Sequence, residues 1–224
     1  EIKSLSTGNP AIKEKMELEE KVSKLKILRS NYIAQKYDYE SKINIEYPHK
    51  IEALNARIFA IKNDIEILEN SDGDKKFEME LNGKVFDNKK DAAEMLTFLL
   101  KKASISEERL IGEYRGFKMS TKYNMNLDAT TVYLRSNNNY SYPVKMGDSG
   151  IGNITRINNT LDNFETALVK EQENLSKIEK DLEDAKVAIN KPFEQEEEYQ
   201  TAIHRLKEIN NQFADVINSA SNAV

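Results

Sequence analysis

The sequence predicts an α+β fold: long antiparallel helical arms, coiled-coil-like or gathered into a helical bundle, with an inserted small antiparallel sheet plus one helix in the order ββαβββ. Three observations predict it. Apolar side chains recur at steps of three and four at Ile154, Ile157, Leu161, Phe164, Leu168, Leu175, Ile178, Leu182, Ala185 and Ile189, with Glu171 the polar interruption. That repeat keeps one helical seam facing a partner helix. Upstream, Tyr47, Ile51, Leu54, Ile58, Ile61, Ile65 and Leu68 follow the same rhythm, so two arms are available to pair. Between Ser71 and Gly152 the pattern changes to short alternating runs, the period of half-buried strands.

Composition narrows the class. The chain has 224 residues, of which 32% are charged with both signs mixed, and only 8 Gly and 4 Pro, the profile of long exposed helices. A net charge of −5 argues overall for neither nucleic acid nor an acidic partner, although a balanced total can contain a basic face. With no Cys, disulfides and thiolate zinc sites are excluded. His49 and His204 each lack a second His at helical spacing. No apolar run approaches membrane-spanning length and the start of the chain has no signal core, so a cytoplasmic protein without a membrane partner is expected. Its opening at Glu1 rather than Met leads us to expect a fragment of something larger.

In chain order, residues 1–8 read as a leader. Residues 9–71 form the N-terminal arm: Asn9 can cap, Pro10 fits the first helical position, and Leu18, Val22, Leu25, Leu28, Tyr32, Tyr39 and Ile43 give a looser stripe interrupted by Arg29 and Lys36. Pro48 predicts a kink or turn near 44–48, and the Ser71-Asp72-Gly73-Asp74 cluster closes the arm. Residues 72–152 form the module. Phe77, Met79 and Leu81 alternate, Asn82-Gly83 turns, and Lys84-Val85-Phe86 returns, a strong hairpin signal. Asp87 or Asn88 caps a helix with Ala92, Ala93, Leu96, Leu99, Leu100 and Ala103 on one face. About three strands follow: Phe117 to Tyr123, Thr130 to Arg135, and, after an Asn137-Asn138-Asn139 turn, Tyr140 to Met146. Residues 153–217 form the C-terminal arm, capped by Asn153 and broken near 190–192 by Lys191-Pro192. A helix from Pro192 then buries Phe193, Tyr199, Ile203, Leu206, Ile209, Phe213 and Ile217. Residues 218–224 read as a frayed tail. The four helical pieces are compatible with one long kinked pair or with a shorter bundle.

Candidate chemistry is sparse. Gly147-Asp148-Ser149-Gly150-Ile151-Gly152 before a helix invites comparison with phosphate-cradling loops, but the Lys-Ser/Thr pair is missing and Asp148 repels an anion, so a structural turn is the better reading. Glu194 to Glu198 is read as carboxylates complementing a helix dipole. Tyr114, Arg115, Phe117 and Lys118 place aromatic and basic residues together, and Lys122, Arg135, Lys145 and Arg156 are candidates for the same sheet face. Rings that stack bases and cations that meet phosphates are how flexible single strands are held. The plainer alternative is the solvated side of a half-buried sheet, with Tyr114 and Phe117 in the core. The module from Phe77 to Met146 carries 11 Lys/Arg against 9 Asp/Glu, only slightly basic. No nucleophile elbow, metal-binding helix or dinucleotide motif is present, so we expect no enzyme and no cofactor in these residues.

Several stretches are more specific. Thr7-Gly8-Asn9-Pro10-Ala11-Ile12-Lys13-Glu14-Lys15-Met16-Glu17-Leu18 with Val22-Ser23-Lys24-Leu25-Lys26, then Ile111-Gly112-Glu113-Tyr114-Arg115-Gly116-Phe117, Gly152-Asn153-Ile154-Thr155-Arg156-Ile157 and Lys191-Pro192-Phe193, resemble in the same order blocks of very large Snf-type helicases fused to a DNA adenine methylase. Such proteins are carried by conjugative elements and phages, and related ones are associated with evading host restriction. The parent's ATP-binding loop, acidic magnesium box and methylase Asn/Asp-Pro-Pro-Tyr motif have no counterpart here. The resemblance therefore implies a C-terminal accessory region of a DNA helicase; taken with the helical seam and the Tyr114 to Lys118 cluster, it leads us to expect a noncatalytic segment that positions or contacts DNA for the motor, with Tyr114, Arg115, Phe117, Lys118, Lys122, Arg135 and Arg156, read from the residue pattern, as the nucleic-acid-binding candidates. The expected partners are DNA and the remainder of the helicase/methylase chain, and the long heptad helix adds a second copy in a homodimer as a further candidate. The alternative is a docking or oligomerisation coiled coil without DNA contact.

Overall fold

Six antiparallel strands and a set of helices, several of them long, make up the α+β fold in a computed structural model, which describes residues 10–71, 76–126, 128–138 and 140–221 and only the backbone course of 216–221. The expected leader, the Asn9 cap, the Asp72-Gly73-Asp74 end of the first arm, Asn139, the Ile217 side chain and the last three residues of the tail lie outside the described residues or atoms. The helices α1 (Pro10–Ser41) and α2 (Tyr47–Ser71) are joined by a π-helical turn, Lys42–Glu46, in which the Tyr47 amide donates to the Lys42 carbonyl. The irregularity expected at Pro48 is thus a widened turn and not an end of the helix. It lies upstream of a residue that has no N–H to donate.

Packing divides the chain into two compact units, 49–179 and a second made of residues up to 48 with those from 180 onward. In the larger unit, β1 (Met79–Leu81) and β2 (Lys84–Phe86) form the expected hairpin, with Asn82 and Gly83 both at positive φ, 51° and 76°. The Asn88 side chain caps α3 (Lys89–Lys101) by accepting from the Lys90 amide at 2.7 Å. Four strands then follow, not three: β3 (Arg109–Tyr114), β4 (Phe117–Asn124), β5 (Ala129–Arg135) and β6 (Tyr142–Lys145). The module is therefore ββαββββ, in sheet order β2-β1-β3-β4-β5-β6. The extra strand, β3, carries a register shift between Leu110 and Gly112 that spoils its alternation.

The register puts Phe86, Met79, Leu81, Tyr114, Phe117, Met119, Thr121, Val132, Leu134, Tyr142 and Val144 on one face, nearly all of them buried. Against that face pack Ala92, Ala93, Leu96 and Leu100 of α3, Ile61 and Leu68 of α2, and Ile154, Ile157 and Leu161 of α4 (Gly150–Asp162). Gly116 marks how closely α2 approaches: a Cβ there would stand 2.6 Å from the Ile67 side chain. The long helix expected from Asn153 to Asn190 is two helices, α4 and α5 (Phe164–Ile189), separated at Asn163. It starts earlier than expected, at Gly150, where the Ser149 hydroxyl caps the Gly152 amide. Asn153 is buried and clasps the Gly147 backbone through both its amide oxygen and its nitrogen. The first third of the predicted seam thus packs into the core between the sheet and α3, where a Cβ at Gly150 would stand 2.5 Å from the Ala93 carbonyl oxygen, and is not a two-helix seam alone. Ile58 and Leu161 are nonetheless both buried, and farther along Leu175 and Ile178 remain half-buried.

Among the buried polar residues described in this unit, one carries a carboxylate. Asp64 of α2 is wholly buried and accepts from the Asn138 side chain at 2.8 Å and from the Tyr142 hydroxyl. Burial, reinforced by that bond, pushes the Tyr142 pKa well above the ordinary tyrosine range.

In the smaller unit, α1 lies antiparallel to α6 (Glu196–Ser221). Glu14 accepts from Nε and Nη2 of Arg205 at 2.7 and 3.1 Å, Lys21 meets Glu198 at 2.7 Å, and Arg29 meets Glu196 at 2.7 Å. Tyr32 donates to the Lys191 carbonyl and stacks near Phe193. Leu25, Ala202 and Ile209 fill the apolar side of this unit. Arg29, an interruption in the sequence stripe, is a cross-helix partner. The last helix begins at Glu196, not at Pro192, and continues to Ser221, past the expected frayed boundary at 218.

Candidate nucleic-acid interface

Within the larger unit, the helices that join the core pack on the face just described, and the other face of the sheet turns exposed side chains outward. Three rows of side chains cross it in register. The first runs Glu80, Glu113, Lys118, Arg135; the second runs Leu110, Ser120, Tyr133, Pro143; the third runs Lys122, Thr131, Lys145. Leu110 is 69% exposed, and Lys118, Lys145, Pro143 and Glu113 are exposed as well. Tyr133, half-buried, lies in the middle row with ammonium groups in the rows on either side. By strand geometry Lys118 and Lys122 stand about 14 Å apart along β4, and Lys122 and Lys145 about 10 Å apart across β5.

The cations are not equivalent. Arg135 makes a two-point ion pair with Glu108, Nη2 to Oε2 at 3.0 Å, and its Nη1 also donates to the Ser120 hydroxyl at 2.9 Å; Ser120 in turn donates to Glu108. Hydrogen bonding from Arg135 holds the Glu108 carboxyl below the usual carboxylate range, so the pair is fixed and mutually neutralised near neutral pH. The Arg135 guanidinium lies 5.3 Å from the centre of the Tyr133 ring. Among the described residues no ion pair engages Lys118, Lys122 or Lys145. Between the last two, the buried Thr131 hydroxyl has no hydrogen-bond partner among the described residues.

The residues expected to form one surface are divided among three places. Lys118, Lys122 and Arg135 share the open face. Tyr114 and Phe117 lie on the core side, 6% and 0% exposed: Tyr114 donates to Asn158 at 2.8 Å, and Phe117 packs edge-on against Phe164. Base stacking on these two rings is therefore ruled out by the pleat. Arg115 occupies the β3–β4 turn at φ 49°, paired with Asp162 at 2.6 Å. It borders a cleft of about 1060 Å³ in which Lys76 and Lys89 are matched by Glu78, Glu80 and Glu113, a lining with no net pull on a polyanion. Arg156 is spent on the Lys145 carbonyl at 3.2 Å. The anion-loop comparison for residues 147–152 also fails, because Ser149 and Asn153 occupy the amides of Gly152 and Gly147.

Tyr133 is absent from the site residues that the sequence points to, although the Thr131, Tyr133, Arg135 alternation marks it as lying opposite the apolar side of β5. Glu108, which precedes a strand that its own sequence hides, carries no signal. Among the described residues no group of acidic and His side chains is arranged to hold a metal ion, and no helix is long and apolar enough to cross a membrane. No family model matches the chain, no curated protein matches its sequence, and no solved structure matches its fold.

Proposed function

We propose that this chain is a noncatalytic accessory segment of a Snf-type DNA helicase fused to an adenine methylase, and that it contacts DNA for the attached motor. The observation that carries the DNA half of this reading is the sheet face on which Lys118, Lys122 and Lys145 surround Tyr133 with no salt bridge to any of the three among the described residues, although Glu113 stands opposite Lys118 and Glu108 acts on Lys122. The link to a motor rests on the sequence blocks from Thr7 to Phe193 alone. Three lysines meeting phosphates give a dependence of log affinity on log salt of about −2 to −3. Fluorescence anisotropy with labelled DNA between about 50 and 200 mM salt tests this. Replacing the three lysines with glutamate should abolish binding, and undiminished binding by that variant would remove the face from the model.

A second reading has its own support: α1 exposes Met16, Ile27 and Tyr37, more apolar surface than its pairing with α6 requires. It makes the helices a docking or self-association element without DNA contact. A stable dimer in light scattering, together with no DNA binding, would favour it.

A further inference from the structure

The open face distinguishes between forms of nucleic acid. We infer that its occupant is a single-stranded stretch of polynucleotide, with one base stacked on Tyr133 and the flanking phosphates against Lys118 on one side and Lys122 and Lys145 on the other. This rests on the nucleic-acid reading and adds the substrate class and the residue that selects it.

Four observations lead there. Tyr133 is the aromatic residue that the strand register places in the middle of the uncovered face, whereas Tyr114, Phe117 and Tyr142 of the same sheet are all buried on the core side. Its ring is braced: Arg135 stands over it at 5.3 Å from the centroid and is itself fixed by Glu108 and Ser120, so the platform is preset. Ammonium groups that no salt bridge engages among the described residues lie one row away on both sides, where the backbone of a strand whose base is seated on the ring must pass. Between Lys122 and Lys145 the Thr131 hydroxyl is enclosed and unpartnered among the described residues, a spare donor that a phosphate oxygen reaches only once the flanking lysine side chains move aside.

A duplex uses little of this. Its bases are stacked inside and show only their edges in the grooves, so it would meet the lysines and leave Tyr133 idle. A single strand offers a free π-face for every base, and stacking is indifferent to which base it is. The same chemistry serves single-stranded DNA and RNA, and the experiment separates them.

The intact chain is titrated with labelled oligo-dT, with oligo-U of the same length, and with a blunt duplex. Two variants are compared: Tyr133→Leu, which keeps an apolar body, and Tyr133→Trp, which introduces the sole tryptophan of a chain that has none. The single strand should bind more tightly than the duplex, and Tyr133→Leu should weaken single-strand binding about 5- to 140-fold while leaving duplex binding unchanged. In the Tyr133→Trp variant, the indole emission should be quenched on adding the single strand and not on adding duplex. Equal affinity for duplex, no effect of Tyr133→Leu and no quenching would overturn the inference; if the triple lysine variant still lost binding, the nucleic-acid reading would stand without it. No binding to any oligonucleotide removes both. Tighter binding to oligo-U than to oligo-dT keeps the stacking site and overturns DNA as its ligand.

Discussion

Replacing Asp64 with Ala tests how the long helix α2 is tied to the sheet. The carboxylate is wholly buried and accepts one bond from Asn138 and one from Tyr142. Hydrogen bonds to a charged acceptor contribute about 1.5–3 kcal/mol each, and a buried donor left without a partner costs about 1–3 kcal/mol. Asn138 is only half-buried and can turn to water, whereas the Tyr142 hydroxyl cannot. The Tyr142 bond and its orphaned hydroxyl together give a loss of about 2.5–6 kcal/mol for Asp64→Ala, read as a lower urea midpoint at unchanged slope. Tyr142→Phe removes one bond and leaves the carboxylate with the other, so it should cost less, about 1.5–3 kcal/mol. In the double variant the orphaned hydroxyl is gone. Its loss should fall short of the sum of the singles by more than about 1 kcal/mol. Additive losses, or an Asp64→Ala variant within about 0.5 kcal/mol of the parent, would show that the two residues are not coupled and that the description of this cluster is wrong.

Two further outcomes follow from single positions. Gly112→Ala drives a methyl group into the Glu80 carbonyl oxygen at the β-bulge, where the backbone of β1 must yield, so it should destabilise the larger unit by at least about 2 kcal/mol in the same urea assay. The Glu108 carboxyl is held below its ordinary value of 4.5 by Arg135, which makes its ionised form the folded-state form. Its contribution is complete above that value and disappears as pH falls through the lower folded-state value. The stability gap between the parent and Glu108→Gln, under about 1 kcal/mol for so exposed a pair, should therefore be constant above pH 4.5 and close below it in a pH series of thermal melts.

What is legible in the sequence is what local chemistry determines. Asn82-Gly83 reads as a hairpin turn because both residues tolerate the positive φ they adopt, and Asn88 reads as a cap because its short side chain reaches the Lys90 amide. What stays hidden depends on partners. A three-four repeat records which side of a helix is apolar and not what it meets, so Ile154, Ile157 and Leu161 look like a coiled-coil seam while joining a core built from a sheet and two other helices. Arg29 looks like a defect because Glu196 lies 167 residues away. β3 escapes a reading by period because the shift between Leu110 and Gly112 breaks the alternation of two.

The candidate site shows the same division. Tyr114, Arg115, Phe117 and Lys118 sit together in the sequence, but the tight turn at Arg115 and Gly116 places Tyr114 directly opposite Phe117, and parity then sends both inward and Lys118 outward. Tyr133, which shares its side of β5 with Thr131 and Arg135, ends up among the lysines only once β4 and β6 flank β5.

The two outermost strands of the sheet have a consequence for the purified protein. β2 is three residues long and begins with Lys84, and β6 contains Pro143, which has no amide to offer a newcomer. A neighbouring molecule seeking to lengthen the ladder would find too few free donors at one rim and a gap at the other. Concentrated solutions of this chain should therefore resist stacking into ribbons, despite a broad layer of strands with one side bare.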